Sequence, residues 1–214
     1  MRRFLGALGF LTAARWPGAP AGESALFFPL VGAAMGWLGA LWYAAVEPFF
    51  GSSIGALMVL GLWSLMTAAK GENGVARTIG YVTLMFLILM RWQALSRLPS
   101  NPVWELAACG AVSRGAIAAI GYFTPPLGKG FAETLTAATA VPTLIITVAA
   151  AFWPGALQGS VLLAGAILTV LFLRHWLTTR LGGVDTAGLH TSGILTETVL
   201  LILATCRNCP WWSW

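Results

Sequence analysis

The chain has 214 residues, 58% of them hydrophobic and only 9% charged. Soluble domains carry about 25% charged residues, so an ordinary water-soluble domain is excluded and lipid is the expected solvent of a single membrane domain over 1–214. The net charge of +5 comes from Lys and Arg scattered through polar breaks; with no basic stripe interleaved with aromatics, nucleic acid is excluded as a partner.

The opening MRRFLGALGFLTAARWPG pairs a basic start with a short apolar stretch. It has the outline of a signal peptide, but Arg15 follows the apolar stretch and Trp16-Pro17 is a poor cleavage context. Phe4, Leu8 and Leu11 share one helical face, which predicts an interfacial helix. Apolar segments then recur at 27–46, 52–69, 79–97, 104–123, 134–152, 156–176 and 192–206. Each is close to the ~20 residues a helix needs to cross hydrocarbon, the last being short. The breaks between them (EPFFGSS, KGENGVAR, RLPSNP, TPPLGKG, WPG and the stretch 180–191) carry Gly, Pro or charge. No barrel-like alternation is visible. The expected fold is all-α: a polytopic membrane helical bundle of about seven transmembrane helices with an N-terminal interfacial helix.

Basic residues set the orientation. Arg2, Arg3, Arg15, Lys70, Arg77, Lys129, Arg174 and Arg180 fall on the side of the N-terminus, against Arg91, Arg97 and Arg207 on the other. That bias predicts a cytoplasmic N-terminus and puts KGENGVAR, TPPLGKG and 180–191 on the cytoplasmic face.

Polar chemistry concentrates in RLGGVDTAGLHTSGILTE (180–197), which holds Arg180, glycines at 182, 183, 188 and 193, and Asp185, the only aspartate. Such glycines let backbone amides approach an anion, and a carboxylate can hold a divalent ion that bridges phosphate oxygens. The same composition also suits an ordinary interhelical turn. Arg114 lies inside a span, where a charge costs about 2.5–3.5 kcal/mol on insertion scales. Its guanidinium either binds an anion or phosphate, or pairs with a carboxylate such as Glu197. Lys129 is a phosphate contact or a topological cation. His190 is a candidate ligand or proton carrier alongside Asp185, while His175 is interfacial. The Cys206–Cys209 pair lacks the second pair or nearby histidine of a metal site.

Six segments in order carry a family likeness: FLTAARWP (10–17), ESALFFPLVGAAMGWL (23–38), GYVTLMFLILMRWQAL (80–95), GAVSRGAIAAI (110–120), PLGKGF (126–131) and RLGGVDTAGLHTSGILTETVLLI (180–202). Together they resemble the adenosylcobinamide-GDP ribazoletransferase (cobalamin synthase) family. The resemblance implies a multi-pass protein of the bacterial inner membrane. It would transfer the adenosylcobinamide phosphate moiety of adenosylcobinamide-GDP to α-ribazole or its phosphate, release GMP and require Mg²⁺. It assigns catalysis to Asp185 and Arg180, substrate binding to Arg114, Lys129, Gly182, Gly183 and His190, and metal binding to Asp185 and Glu197. The implied partners are adenosylcobinamide-GDP, α-ribazole phosphate and membrane lipid, with a homo-oligomer left open.

The chain departs from the family pattern in two places. The acidic motif DGxADxxDG should follow the second span, but LWSLMTAAKGENGVARTIGYV (62–82) contains no aspartate, and Glu72 with Asn73 does not replace a carboxylate cluster. The chain is also short for the family, consistent with a deletion there. In the final element an ungapped alignment puts Ala187 at the family aspartate, whereas a two-residue shift puts Asp185 there; Glu197 keeps its acidic position either way. The missing motif raises a second reading, a non-catalytic descendant that binds a corrinoid, nucleotide or partner protein. A small transporter is a third, supported only by Arg114 and the broken segments.

Overall fold

Glycine and proline decide where this apolar chain stops being one long helix. The computed structural model describes residues 1–14, 21–98, 102–128 and 130–205. Helix α1 (Arg2–Leu11) buries Ala7 and Leu11. Its C-terminal carbonyls, which have no partner within the helix, accept from the Lys70 ammonium: Gly9 at 2.8 Å, Phe10 at 3.1 Å, and Thr12 just beyond at 2.6 Å. The short α2 (Ala21–Ser24) and a 3₁₀ turn (Ala25–Phe27) lead into α3 (Phe28–Thr67).

Helix α3 contains two spans. Gly51 breaks it with φ 77°, three residues after Pro48. The two arms fold back on each other: Trp63 Nε1 donates to Met35 O at 3.0 Å, and Gly55 packs on the Tyr43 ring. Ala68 and Ala69, both at φ 51°, end the second arm in the left-handed region and turn the chain into α4 (Lys70–Thr78). The remaining helices are α5 (Tyr81–Leu95), α6 (Val103–Phe123), α7 (Phe131–Thr134), α8 (Ala137–Ala151), α9 (Ala156–Leu181) and α10 (Thr186–Thr205).

Helix α6 is the axis of the bundle, buried without interruption from Glu105 to Gly121. Small residues permit this, since Gly32 of α3 and Gly110 of α6 meet so closely that a Cβ on either would overlap the other's carbonyl. Helices α3, α8, α9 and α10 pack around it. The outer helices expose large apolar side chains, among them Val82 at 85%, Phe172 at 66% and Ile145 at 65%. In water that surface would drive aggregation, whereas in lipid it is the correct exterior.

The all-α membrane bundle expected from sequence is the fold found. Among the described residues four stretches are long and apolar enough to cross a membrane: Gly22–Thr67, Val103–Phe123, Ala156–Leu181 and Thr186–Thr205; α5 and α8 are shorter apolar helices. Two expected breaks prove partly helical. KGENGVAR forms most of α4, and α10 begins at Thr186, so most of 180–191 is helix rather than loop.

Candidate functional site

Three polar breaks of the sequence meet at one end of the bundle. Helix α9 stops at Gly182, whose φ of 78° gives a left-handed C-cap. Gly183 follows, so close to the Pro125 carbonyl that any Cβ would overlap it. Val184 N then donates to Pro125 O at 2.8 Å, and Leu127 N to Val184 O at 2.9 Å. This pairing fastens the TPPLG loop to the GGVD loop. Asp185 Oδ1 accepts the Gly188 N–H at 2.7 Å, the N-cap bond that starts α10.

Beside this junction lies a cavity of about 160 Å³ lined by Arg77 of α4, Gly128, Gly130, Asp185 and Thr186. Gly183 thus acts through the fold of the junction, and Gly182 through the end of α9. Arg180 is exposed on the last turn of α9 and does not line the cavity. Lys129 lies outside the described residues. Arg77 completes this cavity, a role that its place among the scattered loop cations does not signal in the sequence.

The other assigned residues occupy a second, buried place between α5, α6 and α10. Glu197 Oε1 accepts from Arg91 Nη2 and its Oε2 from Arg114 Nη1, both at 2.6 Å. Arg114 Nη1 also donates to Ser113 Oγ at 3.0 Å. Of the two readings of Arg114, the structure shows the pairing with Glu197. Glu72 of α4 approaches Arg91 at 3.8 Å and accepts from Ser64 Oγ at 2.7 Å. Its second oxygen and Arg91 Nε are buried with no hydrogen-bond partner among the described residues. The cavity beside them is about 30 Å³, enough for a water molecule and far too small for a nucleotide.

Arg91 is therefore an interior residue, which corrects its placement with Arg97 and Arg207 on the side opposite the N-terminus. Its signal in sequence was a lone arginine closing an apolar run, TLMFLILMR. His190 also belongs to this buried place: its ring stacks on Phe10 at 4.9 Å and lines the cavity with Lys70, Arg114 and Glu197. It does not line the cavity that Asp185 borders.

The two carboxylates assigned to metal are not brought together. Asp185 and Glu197 are twelve residues apart along α10, about 18 Å at 1.5 Å per residue. Among the described residues no three His, Cys, Asp or Glu side chains converge as metal ligands. The residues present therefore do not fit a protein-held Mg²⁺, because Glu197 is consumed by two arginines and Asp185 stands without a second carboxylate beside it in the cavity.

Comparison with known proteins then decides the relationship. The family profile described as Cobalamin-5-phosphate synthase matches residues 3–79 and 77–205. The chain belongs to this family. This cobalamin synthase relative is 28% identical over 227 residues to "Adenosylcobinamide-GDP ribazoletransferase" of Pseudomonas fluorescens (strain Pf0-1), covering 87% of this chain and 90% of that protein. It is 29% identical over 240 residues to the protein of the same name from Pseudomonas syringae pv. syringae (strain B728a), covering 94% and 96%. Both alignments are longer than the 214-residue chain itself, so these relatives carry residues with no counterpart here. The profile match divides at 77–79, where α4 ends, within the stretch 62–82 that contains no aspartate. No solved structure matches the chain.

Proposed function

We propose that this cobalamin synthase relative transfers the adenosylcobinamide phosphate moiety of adenosylcobinamide-GDP to α-ribazole or its phosphate, releasing GMP, at the Arg77–Asp185 cavity. The observation that carries the reading is the meeting of the three polar breaks there, each tied to a rigid helix end. Phosphoryl transfer needs little from a protein beyond positioning and charge stabilisation.

The Arg77 guanidinium offers a fork to diphosphate oxygens. Gly128 and Gly130 let backbone come close to them, and the first turn of α10 directs amides to the same end. Asp185 accepts the hydrogen bond of the attacking hydroxyl and takes its proton as the new oxygen–phosphorus bond forms. That oxygen bonds to the cobinamide-bearing phosphorus, the bond from this phosphorus to the bridging oxygen breaks, and GMP leaves with the bridging oxygen. The buried Arg91–Glu197–Arg114 group fixes α5, α6 and α10 relative to one another beneath the cavity. A cytoplasmic N-terminus places the cavity where nucleotide substrates are available.

The test is GMP release by the protein reconstituted in lipid, measured with both substrates and with each alone. The reading expects GMP only when both are present. A folded protein that releases none would overturn it, and release without α-ribazole phosphate would mean hydrolysis instead of transfer. Arg77→Ala is expected to lower the rate at least about tenfold, in line with the loss of a charge-assisted phosphate contact.

A further inference from the structure

A groove remains on the lipid side of the bundle that the proposed reaction does not use. It runs between α6, α8 and α9 with a volume of about 380 Å³ and an almost wholly apolar lining. Ala116 and Ala119 of α6 and Ala166 of α9 contribute to that lining, and their small side chains leave the trough open, while Gly115 lets Thr147 of α8 pack directly on the α6 backbone at its edge. One cation borders it, Arg174 of α9. Arg174 is exposed and makes no ion pair among the described residues.

The dimensions and the charge together specify an occupant. Along α9, the groove extends from Leu163 to Arg174, eleven residues or about 16 Å. Half of the ~30 Å hydrocarbon core is about 15 Å, so the trough is one leaflet deep. Arg174 stands toward the end of α9 that leads to the Gly182–Asp185 junction, and so toward the headgroups of the leaflet on that side. We propose that this groove holds one acyl chain of an anionic phospholipid of that leaflet, whose phosphate is bound by the Arg174 guanidinium. The fork geometry suits phosphate oxygens, and an anionic headgroup such as phosphatidylglycerol brings no competing cation to the contact. The apolar walls give the chain surface that free lipid packing does not fill, while the charge selects the headgroup.

Native mass spectrometry of the full chain, released from detergent micelles after addition of phosphatidylglycerol or phosphatidylcholine with identical acyl chains, tests this. The expected result is one retained phosphatidylglycerol per chain and weaker retention of phosphatidylcholine. Arg174→Gln, at an exposed position, should weaken phosphatidylglycerol retention roughly tenfold, the size expected for losing a charge-assisted hydrogen bond. Ala166→Phe, which fills the trough, should abolish it. Equal retention of both lipids by the wild type and by Arg174→Gln would overturn the assignment. So would phosphatidylglycerol retained undiminished by Ala166→Phe, or a lipid-free dimer showing that a second copy covers the groove.

Discussion

Glu197 takes a hydrogen bond from a different arginine on each of its two oxygens, so removing its charge strands two guanidinium groups inside the bundle. Glu197→Gln should therefore destabilise the protein by about 3–5 kcal/mol, the cost of breaking a buried pair from one side. Thermal unfolding in detergent measures this, and an unchanged midpoint would show that the arginines find other partners. Asp185 calls for a different pair of substitutions. Asn caps a helix about as well as Asp, whereas Ala forfeits about 1 kcal/mol. Asp185→Asn should accordingly keep the melting temperature while Asp185→Ala lowers it, as differential scanning fluorimetry would report. At this scale the sequence made Arg114, Glu197 and Asp185 visible, because a charge in an apolar chain stands out. It did not reveal Arg91, since an arginine followed by Trp92 at the end of an apolar run reads as an interfacial anchor. Nor did it show that His190 turns toward Phe10 and the buried charges, which depends on how α1 and α10 are packed.

Among the helices, α3 and α6 meet backbone to backbone where Gly32 and Gly110 leave no room for a Cβ on either side. Gly110→Ala should push these helices apart and cost several kcal/mol, at or above the ~1–3 kcal/mol of ordinary overpacking, because the obstructing atoms are backbone. Loss of the folded fraction in size-exclusion chromatography would register it. The apolar runs were legible as helices from length and composition alone, including the fold-back in α3, announced by Pro48 and Gly51. Helix α4 was not. KGENGVART contains two glycines, each disfavouring helix by about 1 kcal/mol, and its stability comes from packing. Gly71 lies against Ile194 and Gly74 against the Ala187 carbonyl of α10. The early start of α10 was hidden for a related reason, because TAGLHTS looks like turn composition until Asp185 is recognised as its cap.

Taken as a whole, the molecule has two unlike ends, one bearing the joined 125–128 and 182–185 loops and the other the α8–α9 connection at 152–155. The positive-inside bias predicts that the first end faces the cytoplasm. In intact cells, with Cys206 and Cys209 replaced by Ser, Trp153→Cys should react with a membrane-impermeant maleimide, and Leu127→Cys should react only after permeabilisation. The reverse pattern would invert the topology and remove the cavity from its nucleotide supply. The family's acidic motif has no counterpart here, and the division of the profile match at 77–79 coincides with the end of the helix that supplies Arg77. Among the described residues, that cavity is lined by one carboxylate, one guanidinium and two glycine-bearing loops. The most direct test is the rate of GMP release from adenosylcobinamide-GDP and α-ribazole phosphate by wild type and by Asp185→Asn, compared at matched melting temperature. The account predicts turnover in the wild type and a rate at least about a hundredfold lower in the variant; equal rates in the two would contradict it.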